Sequence, residues 1–345
     1  MGHIRGTVLQ TPDVKDSGAA SVAAPDTPST LKRIGYSLKS PYFWANWTVL
    51  LALAVAVIVF WALSPDTFLS SYNISTILTA AAVPAILVIG QAFVVMTAGI
   101  DLSNAAIVTL SAVTFGAMFA AGQPLILCMA LAIVAGVTAG VVNGVVIAQF
   151  KINDFIVTLG MLSLAQGVAL VISNATPVQV ISEPLATFAL GKVGVFPYIM
   201  ILAVVLLIIA QLVLTQTRFG THVLATGGNT ETARAMGVKT KAMKIAVYAI
   251  SGGAAGIASI VLISRIGAAE PSMNTSLLLN SVAAVVLGGV SLFGGRGNIV
   301  GPFVGAILLT MIINGLIVAG VPQYYQFIAI GLIVMISAVL VRSAK

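Results

Sequence analysis

Charge is what this sequence has least of. Sixteen Lys and Arg and nine Asp and Glu make up 7% of 345 residues, where soluble domains carry roughly a quarter. With mean hydropathy at +1.11, a water-soluble domain is excluded. The single cysteine, Cys128, rules out a disulfide framework and a Cys-rich metal site. There are two histidines, His3 in a polar stretch and His222 in a basic loop, and neither has a neighbour that would make it a metal ligand or a catalytic base. The phosphate loop G-x-x-x-x-G-K-[ST] is also missing, so the chain is not itself an ATPase.

What is present is a succession of apolar runs near the length of about 20 residues that crosses a bilayer as helix. They lack the alternation of membrane β-strands. The expected fold is all-α, a polytopic transmembrane bundle of about ten membrane segments (eight to ten) with broken or re-entrant pieces. The runs lie at 47–63, 74–97, 104–121, 124–148, 155–173, 197–215, 244–264, 280–294, 299–319 and 323–341. Pro84 is expected to bend or break the second. Run 280–294 is short for a full span. Residues 1–46 read as a polar, disordered cytoplasmic tail and residues 47–345 as the membrane domain.

An even number of spans puts both termini on one face. Of the sixteen basic residues, only Lys192 and Arg265 then fall on the opposite face. Basic residues collect on the cytoplasmic side, so both termini are expected there. The net charge of +7 therefore reads as topology, and no nucleic-acid partner follows from it.

Two polar notches interrupt the apolar pattern. "AGIDLSN" (98–104) holds Asp101, and a carboxylate at bilayer depth costs about 2.5–3.5 kcal/mol. Ser103 or Asn104 could cap the helix that follows. Two readings stand side by side: a broken helix beside a transport path, or a helix cap at the membrane boundary with Asp101 wet. "GGRGN" (294–298), with Gly294, Gly295, Arg296 and Gly297, looks similar, either as a weak internal repeat or by chance. Glycines within the spans, as in "GVTAGVVNG" (136–144) and "SGGAAG" (251–256), fit close helix packing. Gln91, Asn143, Gln166, Asn280 and Asn314 are the remaining polar residues inside spans. Amides suit a polyol because they both donate and accept, and they suit interhelical bonds equally.

The longest polar stretch of the body is 216–243. Within it, "TETARAM" reads as a short helix over 230–236, capped by Asn229 or Thr230 and ended by Gly237. "GGNTETARAMGV" resembles the coupling loop of ATP-binding-cassette importer permeases, Glu-Ala-Ala, three residues, then Gly. Glu231, Ala233 and Gly237 match, with Arg234 between them, while Thr232 departs from the first Ala. "GQAFVVMTAGIDLS" (90–103), "FIVTLGMLSLAQGVALVIS" (155–173, with Thr158 and Gly160), "ATGGN" (225–229) and "AAVVLGGVSLFGGRGNIVG" (283–301) follow in order. Together they resemble the ribose-type, monosaccharide branch of these importers over roughly residues 65–340. After Asp-Leu-Ser the family usually has Val-Gly-Ser, whereas Asn104, Ala105 and Ala106 stand here. That leaves the substrate open.

The resemblance implies a bacterial inner-membrane permease in membrane lipid, acting with a second permease copy, identical or homologous. Cytoplasmic ATPase subunits would dock on Glu231, Ala233, Arg234 and Gly237. A periplasmic binding protein would deliver a pentose such as ribose or xylose, a hexose or a polyol, with "SNATPVQVISEP" (173–184) as a candidate contact or a plain connector. No cofactor is expected on this chain; ATP and magnesium belong to the ATPase. Asp101, Ser103, Asn104 and Thr158 join the span amides as candidate path residues. Rival readings are a permease for nucleosides or branched-chain amino acids and an ion-coupled secondary transporter. A membrane enzyme would need a nucleophile and base, or metal ligands, in one cluster, and none appears.

Overall fold

The computed structural model describes residues 41–272 and 275–326, with Gly2 and a few isolated positions up to Met335. The tenth expected run, 323–341, and residues 3–40 lie largely outside the described residues. The compact unit runs from Pro41, where helix α1 (Pro41–Leu63) starts.

The helices that follow are α2 (Pro65–Phe68), α3 (Ser71–Met96), α4 (Asn104–Ala120), α5 (Leu125–Phe150), α6 (Asp154–Ser173) and α7 (Glu183–Leu190). Next come α8 (Tyr198–Gln216), α9 (Arg218–Gly228), α10 (Thr230–Ala235), α11 (Thr240–Ile266), α12 (Thr275–Leu287) and α13 (Val300–Val318). Among the described residues, six are long and apolar enough to cross a membrane: α3, α5, α6, α8, α11 and α13. Three shorter apolar helices accompany them, Val49–Leu63, α4 and α12. The protein is an all-helical polytopic bundle.

Helix α3 is the axis of the bundle. Its residues from Ala81 to Met96 are buried on every side, against α11, α13, α8 and α12. Pro84 sits inside it, and the helix runs through unbroken, so the expected break does not occur. A proline removes one backbone bond, and in membranes neighbouring helices tolerate that loss. Here α3 has such neighbours along its whole buried length.

Helix α11 packs mainly on α5. Gly136, Gly140 and Gly144 of α5 abut the backbone of α11, so an added Cβ would strike Gly252 O, Tyr248 O or the Ile245 α-carbon. Gly252 and Gly256 answer from α11. Lipid tails are as apolar as leucine, so helices here gain from close packing rather than from hydrophobicity, and small residues permit it.

The 173–184 loop is built, not slack. Strand β1 (Val178–Gln179) pairs antiparallel with β4 (Ala268–Ala269), and α7 follows. The turn joining β2 (Lys192–Val193) to β3 (Phe196–Pro197) leads into α8. Helix α12 spans 275–287 rather than the expected 280–294, because hydropathy continues through "GGVSLF" while the backbone turns at Gly289, Gly294 and Gly295.

Candidate functional site: the Asp101 notch and the coupling helix

Helix α3 stops by a Schellman motif. Gly99 N–H donates to Val94 O (3.1 Å) and Ala98 N–H to Val95 O (2.9 Å), with Ala98 at φ +55°. The chain then turns inward rather than out, so Asp101 is 0% exposed. That removes the reading of a wet cap at the membrane boundary. The charge is met instead by donors. Ser103 N–H and the Ser103 hydroxyl donate to Asp101 Oδ1 (2.9 and 2.6 Å), and the Ser251 hydroxyl of α11 donates to Oδ2 (2.7 Å). A bond to a charged group is worth about 1.5–3 kcal/mol, so three offset the insertion cost of about 2.5–3.5 kcal/mol.

The expected side-chain cap on α4 does not form. Ser103 is already helical (φ −88°, ψ −11°) and makes no cap bond, because its hydroxyl is committed to Asp101. Its oxygen accepts from Asn143 Nδ2 of α5 (2.8 Å). Asn104 Nδ2 faces Gln91 Oε1 of α3 (3.2 Å) and Ser281 Oγ of α12 (3.0 Å). One stretch, 101–104, thus ties α3, α5, α11 and α12. The carbonyl oxygens of Asn104 and Asn143 are buried without a partner.

The structure brings Gln91, Asp101, Ser103, Asn104 and Asn143 together. Thr158 stands at their edge, its hydroxyl donating to Asp154 O (2.8 Å) with Ile100 O at 3.3 Å. The other amides lie elsewhere. Gln166 Nε2 donates to Pro271 O (2.7 Å) beside β4. Asn314 exchanges two 3.0 Å amide bonds with Asn73. The Asn280 carbonyl oxygen is buried and unpaired. None of these residues lines either of two cavities found among the described residues. The larger, about 480 Å³, is an apolar groove between α3, α5, α8 and α11. The smaller, about 280 Å³, is lined by Thr109, Glu270 and Ser272 near β4.

Sequence reasoning missed Asp154, Lys244, Tyr248, Ser251 and Ser281. Asp154 Oδ2 takes an ion pair from Lys244 (2.8 Å) and the Tyr248 hydroxyl (2.9 Å). Lys244, Tyr248 and Ser251 stand at i, i+4 and i+7, one helix face. That spacing was the available signal.

The coupling segment folds as a short helix. Asn229 Oδ1 accepts Thr232 N–H (2.8 Å) at the start of α10. Gly237, at φ +86°, ends it through Gly237 N–H to Arg234 O and Val238 N–H to Ala233 O, both 3.0 Å. Ala233 is buried, whereas Glu231 and Arg234 are exposed. Met236, also missed, is 81% exposed at the tip.

The two notches touch. Gly295 N–H donates to Met96 O (2.9 Å), and an added Cβ on Gly294 would meet Ala98 N at 2.6 Å. Gly227, just before the coupling helix, abuts both Met96 O and Gly295 N. The "AGIDLSN", "ATGGN" and "GGRGN" motifs therefore meet as bare backbone. Arg296 is exposed beside this junction.

This architecture has relatives. The family model described as branched-chain amino acid transport system / permease component matches residues 73–338. The chain belongs to this permease family. It is 35% identical over 313 residues to the ribose import permease RbsC of Escherichia coli strain K12, covering 88% of this chain and 97% of that one. The D-allose transport system permease AlsC of the same strain is 33% identical, covering 89% and 95%. The fructose import permease FrcC of Rhizobium meliloti is 33% identical, covering 84% and 82%. No solved structure matches.

Proposed function

We propose that this chain is the membrane-spanning permease subunit of an ATP-driven importer, and that its substrate is a neutral monosaccharide or related polyol. Support for the substrate class comes from relatives named for ribose, allose and fructose that align over 97%, 95% and 82% of their lengths. The wider family model carries a branched-chain amino acid description, which keeps an amino acid as the second reading.

The single observation that carries the mechanism is the backbone junction of Gly227 with Met96 and Gly295. Helix α10 begins three residues later, so a push on it reaches the Asp101 notch without a flexible side chain between. In this reading ATPase subunits bind the α10 face from the cytoplasm. Both termini share that side in a bacterial inner membrane. A binding protein delivers the sugar to the β1–β4 face, and a second permease copy completes the path. ATP and magnesium stay on the ATPase.

The test is purification of the tagged chain from membranes with its copurifying subunits, reconstitution, and uptake of radiolabelled D-ribose, D-allose and D-fructose. A copurifying ATPase with ATP-dependent uptake of one of these is the expected result. Gradient-driven uptake without an ATPase overturns the importer reading. ATP-dependent uptake of leucine in place of any sugar overturns the substrate class.

A further inference from the structure

We infer that Asp154, Lys244 and Tyr248 form a latch that positions the Asp101 notch and ties its movement to the coupling loop; this rests on the importer reading above. Helix α11 starts at Thr240, three residues beyond Gly237. Lys244 therefore sits on the first turns of a helix rooted in the segment that would meet the ATPase. Its ammonium pairs with Asp154 Oδ2 at 2.8 Å, and the two side chains are only 16% and 20% exposed.

One turn deeper, Tyr248 is wholly buried. Its hydroxyl lies 2.9 Å from the same Asp154 oxygen and 3.1 Å from Ile100 O, inside the notch. It has one proton for two acceptors. A carboxylate is the stronger acceptor, so the proton belongs to Asp154 while Lys244 holds that carboxylate in place. If α11 or α6 shifts so that the pair separates, Ile100 O is the acceptor left. The hydroxyl is thus a two-position donor between the α6 carboxylate and the notch backbone, the kind of discrete element through which coupling is carried.

Gly99 closes the device. An added Cβ there would lie 2.8 Å from Asp154 Oδ2 and 3.0 Å from Tyr248 Oη, so the notch backbone fits against the latch with no spare room. Two turns of α11 then read in sequence: Lys244 on Asp154, Tyr248 on Asp154 and Ile100, Ser251 on Asp101. These are positioning residues, and the latch makes no claim of sugar contact.

The experiment compares the reconstituted complex carrying Tyr248→Phe, Asp154→Asn, Gly99→Ala and, as the conservative control, Lys244→Arg. Two quantities are read: ATP hydrolysed per labelled sugar (D-ribose, D-allose or D-fructose, whichever the wild type imports), and amide hydrogen exchange. Tyr248→Phe and Asp154→Asn, which lose a charge-assisted bond, are expected to raise ATP per sugar about tenfold, and Gly99→Ala, which crowds the same oxygen, to raise it in the same direction, with faster exchange confined to residues 99–103. Lys244→Arg, which keeps the cation on Asp154, is expected to retain the wild-type ratio. An unchanged ratio in both Tyr248→Phe and Gly99→Ala overturns the latch, as does exchange that rises equally at β1 and β4. If the wild type itself couples no ATP to sugar, the importer reading fails, and local exchange at 99–103 still decides whether the latch holds the notch.

Discussion

Asp101 is held by three donors from two segments, which separates the effects of its substitutions. Asp101→Asn keeps one acceptor oxygen and the shape but loses the charge. It is expected to lower uptake several-fold with near-normal expression. Asp101→Leu strands the Ser103 N–H and both serine hydroxyls in a buried site, at a cost on the order of 3 kcal/mol. Thermal unfolding in detergent and uptake per folded molecule separate the two, and equal uptake by Asp101→Asn and wild type would remove the charge from the mechanism. The residues around Asp101 were legible in unequal measure. Ser103 and Asn104 adjoin it in sequence, and Gln91 lies on the preceding helix. Asp154, Lys244 and Tyr248 escaped because their partners are about ninety residues apart or more, and a lysine at the head of an apolar run reads as a topology signal.

At the scale of elements, α10 was legible because its cap and stop are local chemistry: Asn229 accepting from Thr232, and Gly237 at positive φ. Met236 was not, since a lone methionine in a basic loop carries no periodicity. Exposed beside Glu231 and Arg234, it offers an apolar contact of a residue type enriched at interfaces. Met236→Asp should reduce copurifying ATPase at least tenfold while the permease itself remains monodisperse; full retention on affinity purification would refute the assignment. Gly237→Ala imposes a left-handed conformation on an L side chain, about 1–2 kcal/mol, and should weaken the same assembly less. Hydropathy misplaced α12 for a physical reason. Glycine and leucine in "LGGVSLFGG" score as membrane-compatible, yet a helix of 13 residues is only about 20 Å long, well short of the roughly 30 Å hydrocarbon core.

For the whole molecule, α6 is informative for the face it leaves open. Only 22% of its membrane window is buried, and an added Cβ at Gly160 or Gly167 meets nothing within 4 Å. The second permease copy proposed above is assigned to this face, since small residues admit close helices. Gly160→Leu is expected to leave the monomer fold unchanged and to shift the permease from dimer to monomer, with uptake lost; an unaltered dimer in native mass spectrometry would place the interface elsewhere. Class and helical architecture were readable from composition because lipid imposes them on every span. Side-chain partners across spans were not, because each depends on helix rotation.

The two ends of the bundle are joined in different ways. At one end the β1–β4 pair, the bond from Val180 N–H to Gly267 O (2.8 Å) and that from Gln166 to Pro271 stitch the α6–α7 and α11–α12 connections together. At the other, Gly227, Gly294 and Gly295 lie against Met96 and Ala98 with one backbone hydrogen bond, from Gly295 to Met96, among the contacts described there. The first end is held by strand pairing, the second by backbone packed directly on backbone beside the bonded Asp101 notch. Displacement applied at α10 should therefore enter at the glycines and carry the Asp101 notch with it as one block, reaching the strand-tied end last.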